Sequence, residues 1–183
     1  MPRLPPRIST ALFANSLSRQ GTLRMNALWS SAAIAYLHYL SFMVAFAALV
    51  VEHLTLRKDL DLKQAWRLVI TDALYGIAAV TVLVTGILRV LYFGKGTEYY
   101  LGNPVFHLKV GLFILVGLLS LYPTISFLLW IKPLREEKAP TLELPTVQRL
   151  TWVIRAELAF LSAIPFLAAM MARGIGLDWI QRG

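Results

Sequence analysis

The 183-residue chain contains no cysteine. This absence excludes disulfide bonds, metal sites built on thiolates, iron–sulfur clusters and covalent haem attachment through a C-x-x-C-H motif. Charge is also scarce, since 15% of the residues are charged and 57% are hydrophobic. A water-soluble fold of this composition would have too few polar side chains to cover its surface. We therefore expect lipid to cover much of the molecule.

Long hydrophobic runs take the place of the missing charge. Each exceeds the roughly 18–20 apolar residues that a helix needs to cross a hydrocarbon core, and the runs cover residues 27–51, 68–93, 104–131 and 147–172. We call them spans one to four. Because the connections are short, consecutive helices should be antiparallel neighbours. The sequence predicts an all-α integral membrane protein, a four-helix up-down-up-down bundle in a lipid bilayer.

The formal net charge of +8 is distributed unevenly among the connections. Basic residues cluster in 52–67 and 132–146, whereas the only basic residue in 94–103 is Lys95. The positive-inside rule then places 52–67 and 132–146 in the cytoplasm and both termini on the other side. This pattern indicates a multi-pass protein of the bacterial inner (plasma) membrane, with no nucleic-acid partner.

The first 24 residues do not fit this orientation. They contain four basic residues and no acidic one, namely Arg3, Arg7, Arg19 and Arg24. Either Met25 is the true start, which we favour, or an Arg- and Ser-rich leader is removed. In both cases we expect residues 1–24 to be disordered or absent from the mature protein and residues 25–183 to form the four-helix domain. Residues 1–24 packed on the helices would contradict this.

Ionisable side chains at membrane depth are functional candidates, because each costs about 2.5–3.5 kcal/mol at the centre of a helix. The candidates inside the spans are His38, Asp72, Arg89, His107, Lys109, Arg155 and Glu157. Small residues suggest which faces point inward. The predicted interior faces are Ala35, His38, Ser41, Ala45 and Ala48 on span one, and Asp72, Gly76, Ala79, Leu83 and Gly86 on span two.

The two histidines give the sharpest hypothesis. His38 and His107 lie in the non-cytoplasmic halves of different helices, and two inward imidazoles are what a haem iron needs for axial ligation in a bundle. Lys109 and Arg89 could bind the propionates. The apolar walls could come from Ile34, Phe42, Phe106 and Leu108. The competing interpretation is that each histidine only makes an interhelical hydrogen bond, worth about 0.6 kcal/mol on average.

Three further ionisable residues lie in the cytoplasmic half. Asp72 and Arg155 could form a buried ion pair or handle protons. Arg155 and Glu157 are two residues apart and therefore point about 200° apart around the helix, so one of them must look away from the interior.

The order of these residues resembles a known group of proteins. The motifs are AYLHYLSF at 35–42, R-L at 67–68, T-G at 85–86, F-H-x-K at 106–109, and R-x-E at 155–157 followed by Pro165. They resemble the HemJ-type protoporphyrinogen oxidases and the wider four-helix group that includes CopD-like copper-resistance domains. The resemblance covers residues 27 to about 174 and is closest to bacterial predicted membrane proteins of unknown function within that group.

The resemblance implies haem b, bound through iron to His38 and His107, with Lys109 important for activity. Glu157 is a second candidate catalytic residue, in a group with Asp72 and Arg155 that could relay protons. Two positions depart from the HemJ pattern, since Ala45 and Ala156 stand where a tryptophan and an asparagine are usual. Copper transport is disfavoured because the five methionines do not form a spaced chelating set.

We therefore expect a haem-binding membrane protein with a redox role. The reaction would be porphyrinogen oxidation, as in a HemJ-like oxidoreductase, or electron transfer to or from a quinone. The alternative is a non-catalytic helical subunit or assembly factor of a larger membrane complex. Both hypotheses allow a homo-oligomer, and the sequence leaves open whether the protein is an enzyme.

Overall fold

The computed structural model describes residues 10–176, with side chains from Arg19 onward. Its helices are α1 (Thr10–Thr55), α2 (Leu62–Leu88), a π-helical turn (Arg89–Phe93), α3 (Thr97–Leu101), α4 (Pro104–Arg135) and α5 (Leu144–Ala172). The predicted all-α class is confirmed, since residues 10–176 form no strand.

Four of the helical segments are long and apolar enough to cross a membrane: Arg19–Thr55, Leu62–Phe93, Pro104–Arg135 and Leu144–Ala172. Each contains one predicted span. Most extend beyond the predicted ends, because backbone hydrogen bonding continues past the last apolar residue. Their outward faces carry exposed large hydrophobic side chains, as a lipid-facing surface requires.

Helix α1 begins well before the first predicted span. Its residues 19–30 are exposed, and they include the last six residues of the predicted leader. Arg3 and Arg7 lie outside the described residues. Whether residues 1–24 belong to the mature protein therefore stays a prediction.

The four long helices form a ring in which each has two neighbours. Helix α1 packs on α2 and α5, and α4 packs on the same two helices. Helices α1 and α4 therefore lie diagonally across the bundle. The connections after α1 and after α4 meet in an isolated β-bridge between Asp59 and Thr141, which places them at the same end.

Local signals explain where two of the helices begin. The Asp61 side chain accepts from the Gln64 N–H at 2.7 Å and the Gln64 side chain accepts from the Asp61 N–H at 3.2 Å, a reciprocal capping box at the start of α2. Asn103 caps α4 by accepting from the Val105 N–H at 2.9 Å. Pro104 follows at the first helical position, where its missing N–H costs nothing.

The predicted interior face of α1 is confirmed, whereas that of α2 is confirmed at Asp72 and Gly86 and is wrong at Gly76 and Leu83. Ser41, Ala45 and Ala48 are buried, as predicted. On α2, however, Gly76 is exposed and Leu83 is 48% exposed. The buried residues of α2 are Ala65, Leu68, Val69, Thr71, Asp72, Tyr75, Ala78, Val82 and Thr85. The prediction assumed that the small residues of α2 face inward. The rotation of α2 is instead determined by polar side chains that have partners in the interior.

At the end of the bundle opposite to the β-bridge, hydrogen bonds connect the segment before α4 to the C-terminal end of α5. The Tyr99 hydroxyl donates to the Met171 carbonyl at 2.6 Å, and the Asn103 side-chain amide donates to the Ile175 carbonyl at 3.4 Å. Gly176 has φ +104°, and a Cβ there would collide with Asn103 Oδ1. A glycine is therefore required where the chain passes this buried cap.

Candidate functional site

Polar side chains occur at two levels of the bundle. The His38 cluster comprises His38, Thr85, Arg89 and Lys109, and the acidic cluster comprises Glu52, Asp72, Thr124 and Glu157. His38 and Glu52 are fourteen residues apart in α1, about 21 Å along the axis at 1.5 Å per residue. The two clusters are therefore separate sites.

The imidazole of His38 is oriented by α2. Its Nδ1 lies 2.9 Å from Thr85 Oγ1, and the Thr85 hydroxyl in turn donates to the Thr81 carbonyl. Because a hydroxyl has one proton, the Thr85 oxygen accepts from His38 and the ring proton lies on Nδ1. In the neutral imidazole Nε2 then keeps its lone pair, which is the form that binds metals.

Gly86 explains how the ring fits against α2. A Cβ at Gly86 would lie 3.3 Å from His38 Cε1, closer than ordinary contact. The Thr85–Gly86 pair thus has two roles, since the threonine fixes the ring nitrogen and the glycine makes space for the ring. The T-G motif was visible in the sequence, but its connection to His38 was not predicted.

Two cations lie near His38 without an acidic partner. Arg89 and Lys109 are both close enough to interact electrostatically with His38. Arg89 Nη1 is buried and has no hydrogen-bond partner, and its guanidinium lies 4.9 Å from the Tyr39 ring centroid. Among the side chains that the structure describes, the single ion pair joins Lys138 and Glu136. The His38 cluster is therefore suited to an anionic group.

The position of Arg89 at the start of the π-helical turn is also notable. A π-helical turn interrupts the regular α-helical ladder and is frequent at functional sites. Lys109 approaches from α4, where its ammonium lies 5.4 Å from the Phe106 ring centroid. Phe42, Ile34 and Phe106 are half-buried, but Leu108 is exposed and does not face the interior.

The structure does not bring His107 to His38. The His107 side chain is exposed, and its Nε2–H donates to the Leu101 carbonyl at 2.9 Å. A carbonyl can only accept, so Nε2 holds a proton and offers no lone pair in this arrangement. The cause is the turn at Asn103, which folds the end of α3 back over the start of α4.

The acidic cluster joins four helices. Glu52 from α1 and Glu157 from α5 are each 0% exposed, and none of their four carboxyl oxygens has a hydrogen-bond partner. Asp72 from α2 accepts from the Thr124 hydroxyl of α4 at 2.8 Å. Both glutamates interact electrostatically with Asp72. Glu157 thus lies with these acids, and not beside Lys109.

The sequence analysis did not identify Glu52 as a site residue. The signal that could have found it is helical spacing, because Glu52 continues the stripe through Ala45 and Ala48. Glu52 was not identified because it lies directly after the apolar run 27–51.

The predicted ion pair between Asp72 and Arg155 is wrong. Arg155 is exposed, with its guanidinium 5.5 Å from the Trp152 ring centroid, while Asp72 bonds to Thr124. The predicted divergence of Arg155 and Glu157 is confirmed, since one points outward and the other inward. The structure thus leaves the acidic cluster without a basic partner from α5.

Within residues 19–176, no three or more histidine or acidic side chains are arranged to hold a metal ion. Ligation of a haem iron by one or two imidazoles is a different chemistry, because the porphyrin supplies the remaining ligands.

The chain matches the model of a protein family. The model of the family described as "Predicted membrane protein (DUF2214)" matches residues 30–176, a region that contains both clusters and nearly all of the four spans. No curated protein and no solved structure matches the chain. The expected likeness to predicted membrane proteins of unknown function is confirmed at this level. The chain belongs to this family of predicted membrane proteins.

Proposed function

We propose that the protein binds haem b in the bundle, with His38 Nε2 as the iron ligand. One observation carries the proposal: the bond to Thr85 holds the ring proton on Nδ1 and leaves Nε2 free, beside two cations that have no acidic partner. Histidines that bind metals usually donate their other ring N–H to a protein acceptor, which fixes the tautomer. Thr85 supplies that acceptor here.

The propionates of the haem would be bound by Arg89 and Lys109. The buried Arg89 Nη1 lacks an acceptor, and a carboxylate would supply one through a charge-assisted hydrogen bond. The resemblance to HemJ-type proteins supports the same assignment, because it implies that the lysine in F-H-x-K is important for activity. Lys109 is thus our candidate for both propionate binding and catalysis.

His107 is the candidate second ligand. Its Nε2–H is engaged by the Leu101 carbonyl, so ligation would require the start of α4 to separate from the end of α3. We therefore assign His38 as the principal ligand and His107 as a ligand that binds only after this release.

The redox role follows from the cofactor, since haem iron exchanges single electrons when bound. We favour electron transfer with a quinone over porphyrinogen oxidation. Ala45 occupies the place of a tryptophan in the HemJ pattern and is tightly packed at 3% exposed, so a large side chain would not fit there without rearrangement. Because Glu157 belongs to the acidic cluster, we assign it no role at the haem.

We further propose a bacterial inner-membrane location with the β-bridged connections in the cytoplasm. These connections contain Arg57 and Lys58 near Asp59, and Lys138 near Thr141. In this orientation the His38 cluster lies in the non-cytoplasmic half and the acidic cluster in the cytoplasmic half.

A visible spectrum tests the haem proposal. The protein is expressed with a haem precursor, purified in mild detergent and measured before and after dithionite. We expect a Soret band and a sharpened α band that are lost in His38→Ala and kept in the matched variant His53→Ala. Arg89→Gln and Lys109→Gln should weaken retention of haem during purification. A colourless wild-type protein, or a spectrum unchanged in His38→Ala, would contradict the proposal.

A non-catalytic subunit of a larger complex is the second candidate. The observation in its favour is that both imidazoles already have hydrogen-bond partners, Thr85 for His38 and Leu101 for His107. A colourless preparation would favour it. If haem is bound, rescue of a porphyrinogen oxidase deletion strain separates the two redox reactions, and failure to rescue would leave electron transfer.

A further inference from the structure

The haem proposal makes no use of the acidic cluster, although this is the most unusual group of side chains in the bundle. Glu52 and Glu157 are fully buried, and all four of their carboxyl oxygens lack a partner. Glu52 interacts electrostatically with Asp72 and Glu157, and Glu157 interacts with Asp72. All of these neighbours are acidic.

Several buried carboxyl groups without partners require a cation to neutralise them. An ionised carboxylate without a partner in a low-dielectric interior is strongly unfavourable, and several in one place repel each other. A bound proton removes the charge of a carboxyl group and with it the repulsion between neighbouring acids. These residues are not arranged as a metal site in the part of the chain described. A proton is therefore the cation that fits.

We propose that Glu52, Asp72 and Glu157 form a proton-binding site in the bundle, separate from the His38 cluster. The hydrogen bond from Thr124 fixes Asp72, while Glu52 on α1 and Glu157 on α5 interact with it electrostatically and have no hydrogen-bond partners of their own. We infer that the two glutamates are the groups that gain and lose the proton. This proposal does not depend on bound haem.

The other polar groups around the proton-binding site come from α1, α2 and α4. Helix α2 adds the buried Tyr75, which interacts electrostatically with the three acids, and α4 adds the hydroxyls of Ser120 and Thr124. On α1, His53 has a buried Nδ1 without a partner. His53 lies two residues before the end of α1 at Thr55, so this end of the helix gives protons the shortest route to the connection and its water.

Carbodiimide labelling tests the proposal directly. Dicyclohexylcarbodiimide reacts with protonated carboxyl groups, and its apolar rings favour those buried in membranes. After treatment of the intact protein in lipid vesicles, peptides are analysed by mass spectrometry. We expect modification of Glu52 or Glu157, little modification of the exposed Glu98 and Glu136, and a decline in modification as the pH is raised.

Matched variants and a competing cation make the test decisive. Glu52→Gln should leave Glu157 modifiable, and Glu157→Gln should leave Glu52 modifiable. Sodium ions at constant pH should not protect either residue. Absence of modification in the wild-type protein would overturn the proposal, and protection by sodium would overturn it in favour of a metal cation.

Infrared spectroscopy provides a readout that does not depend on reagent access. The wild-type protein should show a carbonyl band of protonated carboxylic acid that decreases in Glu52→Gln and in Glu157→Gln. Both variants must first show a wild-type helical content by circular dichroism. The band should remain in His38→Ala, so failure of the haem proposal would leave this result unaffected. A band that is absent, or unchanged in both glutamine variants, would contradict the proton site.

Discussion

The hydrogen bond between His38 and Thr85 decides which ring nitrogen is free, so its removal is the most informative perturbation. Thr85→Val keeps the shape of the side chain and deletes the oxygen that accepts from Nδ1. Interhelical hydrogen bonds in membranes average about 0.6 kcal/mol and reach about 1.7 kcal/mol. Since the variant also leaves the half-buried N–H without its acceptor, we expect a loss of about 1 kcal/mol, roughly a fivefold change in the unfolding equilibrium constant.

The assay is reversible unfolding in mixed micelles, measured over a double-mutant cycle with His38→Ala. The matched control is Thr81→Val, one turn earlier on α2, whose hydroxyl donates to the Ile77 carbonyl of its own helix at 2.8 Å. We expect the control to change the free energy of unfolding by less than about 0.5 kcal/mol. The His38–Thr85 coupling energy should be about 0.6 kcal/mol or more.

Equal effects of Thr85→Val and Thr81→Val, with a coupling energy of zero, would refute the reasoning. The bond would then contribute nothing, and the assignment of the ring proton to Nδ1 would lose its basis. The assignment of Nε2 as the free ligand atom would fail with it.

Three further predictions follow from the structure. Gly86→Ala should displace the His38 ring and lower haem affinity by about 10-fold, within the range for groups that orient a ligand. The control is Gly76→Ala, because a Cβ at Gly76 meets nothing within 4 Å. In an optical titration this control should bind haem like the wild type. Asn103→Ala removes the buried cap of α4 and should lower the free energy of unfolding by about 1–2 kcal/mol in the micelle assay; an unchanged value would contradict its capping role. In this cysteine-free chain, Thr97→Cys and Glu137→Cys should react with an impermeant maleimide from opposite sides of the membrane, and labelling from one side would contradict the topology.

The number of spans and the fold class could be predicted because they depend on run length alone. Each apolar run is long enough to span a bilayer, and the backbone in lipid must then be helical or form a closed barrel. The bundle order also followed from the short connections. The rotation of α2 could not be predicted in the same way, because Tyr75 and Thr85 face inward for partners on other helices.

The candidate site was predicted in part. His38, Arg89 and Lys109 were identified as ionisable residues at membrane depth, and the structure brings these three together. The bond of His107 to Leu101 could not be foreseen, since it depends on how α3 folds over the start of α4. The inward position of Glu52 was implied by helical spacing, but its lack of a cation partner becomes visible only when the neighbouring helices are in place.

The central claim is that His38 provides the ligand for haem iron. The most direct measurement is an optical titration of the haem-free protein with haem, carried out in parallel on the wild type, His38→Ala, His107→Ala and His53→Ala. The account predicts a saturable Soret shift that is abolished in His38→Ala, altered in shape but retained in His107→Ala, and unchanged in His53→Ala. A His38→Ala protein that binds haem with wild-type affinity and spectrum would contradict it.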